Sequence, residues 1–254
     1  MFRYLRITIL LALLVVVAAG TWLTKLRTTD WDAPLWVAIH PINGDGSDAS
    51  SRYITSLDVR AFRTLEDFFG DEAESYDLAL KRPITVQLAH VIDEMPPTPP
   101  APGNTLAIMA WSLQMRYWAY RVDHHAGPTP DIRIFVVYHD PVRHERLRHS
   151  LGLEKGLVGV VNAFASPTMA EKNNVIIAHE LLHTVGATDK YGVDELPLHP
   201  AGYAEPDKRP LYPQNYAEIM GGRIPVDQYT AVIPRSLHKV VIGEQTAREI
   251  NWLP

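Results

Sequence analysis

The chain contains no cysteine, which excludes disulfides, thiolate metal ligands and a cysteine nucleophile. Positive charge is also short. Lys and Arg number 24 against 29 Asp and Glu, a net charge of -5 with a pI near 6.1, which argues against nucleic acid as a partner. No internal repeat is present, so solenoid and propeller architectures are not indicated. What remains is ordinary for a folded protein. With 46% hydrophobic and 21% charged residues, 254 residues suffice for one sizeable domain with a real core, or for two small ones.

Long apolar runs are missing except at the start. Arg3 and Arg6 precede seventeen uncharged residues, 7–23, and Lys25 and Arg27 follow. That length is at the lower limit for a helix crossing a bilayer, roughly 17–25 residues. Val17-Ala18-Ala19 also reads as a small-residue cleavage site of a secretory signal. The run continues past it to Trp22 and Leu23, and an interfacial Trp favours an uncleaved anchor. Residues 1–27 are therefore expected to be a signal-anchor or a signal peptide, with residues 28–254 outside the cytoplasm. The domain would be membrane-anchored if the segment stays, and secreted or periplasmic if it is removed.

Patterning along the rest alternates strand and helix. Residues 35–40 read as a strand broken by the turn-rich Asn43-Gly44-Asp45-Gly46, with His40 as a structural side chain. Ile54, Leu57, Ala61, Leu65 and Phe68 recur at helical spacing and predict one helix over 51–69 ended by Gly70. Period-two alternation predicts a strand over 83–90, and the proline-rich stretch 95–103 a stiff surface loop. Asn104 caps a helix over 105–122 that is apolar on most sides and so expected to pack deep, with His124 and His125 favouring its C-terminal dipole. A central strand is expected over 131–139, a solvated charged face over 143–149, and another strand over 156–165. A helix over 167–185 follows, capped by Ser166 with Pro167 or by Thr168 with Glu171. After Asp189 regular patterning fades, apart from a final helix within 234–250 that Gly243 weakens.

One stretch of that last long helix carries chemistry. His179-Glu180-Leu181-Leu182-His183 is an H-E-x-x-H pattern, and one helical turn puts both imidazoles on one face, the spacing that grips a small cation. Random placement of 11 His and 13 Glu over this length gives only about 0.02 such matches. Glu180 stands beside the first histidine, where it can accept a proton without ligating. Gly186 permits a sharp turn, and Asp189 is a candidate third ligand, with Glu195, His199, Glu205 and Glu218 as the other acidic or imidazole candidates downstream. Three protein ligands leave a fourth position open, the mark of catalytic rather than structural zinc.

In these residues the chain resembles the zincin metallopeptidases, and within them the metzincins. Their motif H-E-x-x-H-x-x-G-x-x-H is matched by His179, Glu180, His183 and Gly186, with Asp189 in place of the last histidine, as in the snapalysin-type variant. Met220, after a long irregular segment, resembles the methionine of the turn beneath the metal in that clan. Gly186-Ala187-Thr188-Asp189-Lys190-Tyr191-Gly192 is also similar to the Asp-bearing motif of deuterolysin-like aspzincins, at a different spacing. The resemblance implies an α+β, zincin/metzincin-like catalytic domain. Its twisted mixed sheet and active-site helix would form an upper part to about residue 188, followed by an irregular lower part, 189–254. By the same analogy residues 156–165 would hold the edge strand that pairs with an extended substrate.

The activity implied is a zinc endopeptidase, with Zn2+ on His179, His183 and Asp189, Glu180 as general base, Gly186 and Met220 in support, and a peptide or protein as substrate. The membrane would be a partner through the N-terminal helix. No tyrosine stands two residues after Met220, where some metzincins place one to stabilise the oxyanion; Tyr191, Tyr212 and Tyr216 are the substitutes to weigh. From another class, the alternative is a non-catalytic zinc-binding interaction module on the same scaffold. Oligomeric state is not legible here.

Overall fold

A computed structural model describes Arg6 and residues 29–101, 103–123, 129–154 and 156–254. The expected N-terminal segment, apart from Arg6, lies outside the described residues, as do His124 and His125. Among the described residues no helix is long and apolar enough to cross a membrane.

The fold is mixed α/β, built on one five-stranded mixed sheet. Its strands are β1 (Leu35–Asn43), β2 (Ile84–Leu88), β3 (Ile132–His139), β4 (Leu151–Leu153) and β5 (Val158–Phe164), in spatial order β2-β1-β3-β5-β4. The first four neighbours pair in parallel, and β4 runs antiparallel on β5 as an edge. β3 is central, as its composition suggests. Ile132, Ile134, Phe135, Val136, Val137 and Tyr138 are all buried, which a strand covered on both faces requires. Pro41 is tolerated inside β1 because β2 ends opposite Ile39, and beyond it Pro41 only accepts, from Ile92 N at 2.9 Å.

Helices cover both faces. On one lie α1 (Asp48–Ser56), α2 (Arg63–Ser75) and the long α4 (Ala170–Thr184), whose Ile54, Leu65, Phe69, Ile177 and Leu181 join Val37, Ile39, Ile134 and Val161 in the larger core. On the other lies α3 (Thr105–Val122), packing Trp111, Met115, Trp118 and Val122 over Phe135, Val137 and Val160. Asn104 caps α3 as expected, its side chain accepting from Ala107 N at 3.0 Å. The short C-terminal helix α5 (Glu244–Glu249) returns to the larger core. Ile250 and Trp252 pack there with Trp31, whose indole donates to Ile250 O at 2.7 Å.

Several expectations need correction. The single helix over 51–69 is two helices, because Ser47 caps the first and Asp58 caps a separate turn by accepting from Arg60 N. Gly70 lies inside α2 rather than ending it. α3 is not buried all round: only one side meets the sheet, and Leu106, Met109, Leu113 and Tyr120 are exposed. Ser166 stands at the N-cap with Pro167 at the first position, but of a 3-10 turn rather than of α4, and neither Ser166 nor Thr168 makes a capping bond. A single 3-10 turn precedes α4, and Asn173 reaches back to bond both Phe164 N and Phe164 O. The final helix spans only Glu244–Glu249, with Gly243 at its N-cap. β5 is not an edge strand, since β3 and β4 flank it; the edge on that side is β4.

Candidate metal centre

The centre is built on the C-terminal half of α4. His179 and His183 lie one turn apart on it, and their rings meet edge to face with centroids 4.7 Å apart. The helix stops at Thr184, and Gly186, at φ 110°, adopts a backbone conformation that side-chain-bearing residues rarely take. The chain then doubles back so that Asp189 faces the helix it has just left.

Hydrogen bonds decide which ring nitrogens face inward. His179 Nδ1 lies 2.9 Å from Ile219 O, and His183 Nδ1 lies 2.8 Å from Ala187 O. A carbonyl oxygen only accepts, so each Nδ1 carries the hydrogen and each Nε2 is left with a lone pair. Those nitrogens are 3.1 Å apart, and Asp189 Oδ1 is 3.2 Å from the first and 3.1 Å from the second. Three lone-pair donors thus converge on one point. Ligands at about 2.05 Å from a tetrahedral zinc stand roughly 3.3 Å from one another, so the spacing fits. Carbonyls fixing the outer nitrogens are the usual support for ligating histidines.

The electrostatics agree. Burial favours the neutral form of His179, but the Asp189 and Glu180 carboxylates and the Ile219 carbonyl together outweigh it and hold the imidazole above its ordinary range. Burial would raise the Asp189 carboxyl, but the two imidazoles beside it, His179 and His183, together hold it well below the usual carboxylate range. The site attracts a cation.

Glu180 is not one of the three converging side chains. Its side chain is buried against β5, where a Cβ on Gly159 would lie 3.9 Å from Glu180 Cβ, and among the described residues its Oε2 has no hydrogen-bond partner. Burial pushes the carboxyl up, against the pull of His179 and His183. A buried, unpartnered oxygen beside a cation-attracting cluster is suited to taking up and releasing a proton.

The other candidate ligands are engaged elsewhere. Glu195 pairs with Arg223, Glu205 accepts from Asn215, and His199 Nε2 lies against Pro206 O. Glu218 is fully buried, accepting from Gly221 N, Gly243 N and Thr246 Oγ1, and knits the turn around Met220 to α5. Met220 is fully buried in that turn, and its neighbour Ile219 supplies the carbonyl that orients His179. Of the tyrosines, Tyr191 stacks on His179 with centroids 6.3 Å apart, and burial together with the Asp189 carboxylate pushes its hydroxyl up to about 12. Tyr212 bonds Tyr203, and Tyr216 lies under Lys239.

A cleft of about 200 Å³ opens beside His179, walled by His149, Val175, Ile176, Tyr191 and Gly222. β4 lies against the same helix: a Cβ on Gly152 would stand 2.5 Å from both Glu180 O and His183 Cβ. A second group with metal-ligand geometry comprises Asp45, His139 and His144. The sequence reading placed His144 on a solvated face. The available signal was two histidines five residues apart at the end of a central strand, with an aspartate after the neighbouring one.

No protein-family model and no curated protein sequence matches the chain.

Proposed function

We propose that the protein is a zinc-dependent metallopeptidase of metzincin-like fold, acting as an endopeptidase on peptide or protein substrates. The observation that carries this reading is the convergence of His179 Nε2, His183 Nε2 and Asp189 Oδ1 next to the unpartnered carboxylate oxygen of Glu180. The mixed sheet, the motif-bearing helix and the buried methionine turn that touches His179 support the fold assignment. The apolar segment at 7–23 supports a domain exported from the cytoplasm and tethered to the membrane or released from it.

His179, His183 and Asp189 would hold Zn2+. Bound zinc supplies Lewis acidity to the scissile carbonyl and makes water acidic enough to attack near neutral pH. Glu180 Oε2 accepts the proton of the attacking water and delivers it to the amine nitrogen as the C–N bond breaks. Burial keeps the Glu180 carboxylate basic enough for both transfers. The Tyr191 hydroxyl, kept protonated, donates to the oxyanion. The free side of β4 pairs with the substrate backbone, and the cleft beside His179 takes an adjacent side chain.

Glu180→Gln tests the reading. The variant is expected to keep its zinc and to cleave unfolded casein at least about a hundredfold more slowly, the range lost with a general base. Wild-type activity in that variant would refute the assignment. Zinc bound without chelator-sensitive cleavage by the wild-type chain would support a binding module instead.

A further inference from the structure

Outside this centre, a second group of ligand-type side chains stands at the carboxyl ends of the parallel strands. Asp45 follows β1, His139 ends β3, and His144 lies in the loop leading to β4. Parallel pairing sets Asn43 against Tyr138, so the two strand ends meet, and Asp140 N donates to Asp45 Oδ2 at 2.8 Å. One ligand atom from each of the three residues lies within 4.8 Å of the other two. His144 Nε2 is 3.6 Å from Asp45 Oδ2, and the two imidazoles meet edge to face with centroids 5.1 Å apart.

Neighbours set the protonation of His139. The Asn162 amide nitrogen donates to His149 O at 3.2 Å, which orients the amide and presents its oxygen to His139 Nε2, also at 3.2 Å. An oxygen there can only accept, so Nε2 carries the hydrogen and Nδ1 keeps a bare lone pair. That Nδ1 is buried and, among the described residues, has no hydrogen-bond partner. One nitrogen fixed by a hydrogen bond and the other free is the form in which histidine ligates metals. Asp45, with its side chain 6% exposed, is fixed in place by accepting hydrogen bonds from Asp140 N at 2.8 Å and Ser47 N at 3.0 Å.

We propose that Asp45, His139 and His144 form a second metal site, for a zinc-class transition-metal cation, that fixes the loop between β3 and β4. Two imidazoles and one carboxylate suit such a cation, whereas calcium and magnesium take sets of oxygens. The loop matters because it leads into the edge strand and carries His149 to the wall of the cleft. Asn162 couples the two directly, bonding His139 on one side and His149 on the other. A cation holding His144 to Asp45 steadies the cleft wall and the entry to β4 together. The site shares no ligand with the first centre and stands without the peptidase reading.

The test is a zinc count on the full-length chain, stripped with chelator and titrated with Zn2+. The wild type is expected to bind two equivalents, His144→Ala one, His183→Ala one and the double variant none. His139→Gln, which keeps a polar side chain facing Asn162, is expected to match His144→Ala. Added Zn2+ should raise the Tm of the His183→Ala protein and leave that of the double variant unchanged. One equivalent in both wild type and His144→Ala, or no Zn2+-dependent shift in His183→Ala, overturns the proposal and leaves His144 and Asp45 as an ion pair. If His183→Ala keeps the wild-type count while His144→Ala loses one, the second site stands and the first falls.

Discussion

Lys190, the residue after Asp189, buries its ammonium 2.8 Å from the Glu249 carboxylate, and so ties the loop that carries Asp189 to α5. Thr188 adds two further bonds to the same carboxylate, through its amide at 2.8 Å and its hydroxyl at 2.9 Å. Asp189 is thus flanked on both sides by residues anchored to one glutamate. Glu249→Ala strands a buried ammonium and is expected to cost about 3 kcal/mol in urea unfolding, the usual penalty for breaking such a pair. Zinc affinity at the first centre should fall with it. A variant that unfolds with wild type would show that the anchor is idle.

At Gly152 β4 lies close against α4, with no room for a Cβ before Glu180 O and His183 Cβ. Its backbone is not in the left-handed region, so the constraint is one of space. Gly152→Val must push the edge strand away from α4. A loss of about 1–3 kcal/mol, typical of overpacking, is expected, together with a rise in KM for extended peptides. Unchanged stability and KM would mean that β4 neither presses on the helix nor binds substrate.

Tyr191 is the tyrosine that the structure brings to the centre, so the three tyrosine-to-phenylalanine variants should separate cleanly. Tyr191→Phe is expected to lower kcat about a hundredfold with metal content unchanged, as for loss of one oxyanion donor. Tyr212→Phe and Tyr216→Phe should leave kcat alone. Equal kcat for Tyr191→Phe and wild type would remove Tyr191 from the mechanism.

Two buried groups away from the centre should oppose each other in pH-dependent stability. Burial lowers His40 from 6.5 to about 4, against the pull of Asp123, with His90 and Arg133 adding to the lowering. Burial raises Glu72 from 4.5 to about 7, helped by Asp71 and Glu218 and resisted by the bond from Ile242 N. For His40 the unfolded chain takes up its proton first, so stability is present above 6.5 and lost as pH falls towards 4. For Glu72 the folded chain holds its proton longer, so stability is present below 4.5 and lost as pH rises towards 7. Each is worth about 3 kcal/mol at most, and between pH 4.5 and 6.5 the slopes cancel. Glu72→Gln should therefore become less stable on acidification through that window, and His40→Gln more stable. Parallel profiles for wild type and both variants would exclude the compensation.

Much of this was legible in the chain itself. The spacing of His179 and His183, the cap at Asn104 and the apolar run of β3 are local facts, and local geometry carries them into three dimensions unchanged. The helix over 51–69 misled because its apolar spacing continues across Asp58, whose side chain prefers to cap a new turn. α3 misled because composition records how apolar a helix is and not how many of its sides find a neighbour.

The sequence by itself determined the helix with its paired histidines, the central apolar strand and the glycine just past the helix end. Those follow from periodicity and from backbone sterics. Only the tertiary structure decided that Asp189, rather than Glu195, His199, Glu205 or Glu218, meets both imidazoles, and that β4 rather than β5 is an edge. It alone brought Asp45 to His139 and His144. Such meetings depend on which strands lie side by side and which loops are anchored. Those are set by packing summed over residues far apart in the chain, and no window of local pattern contains it.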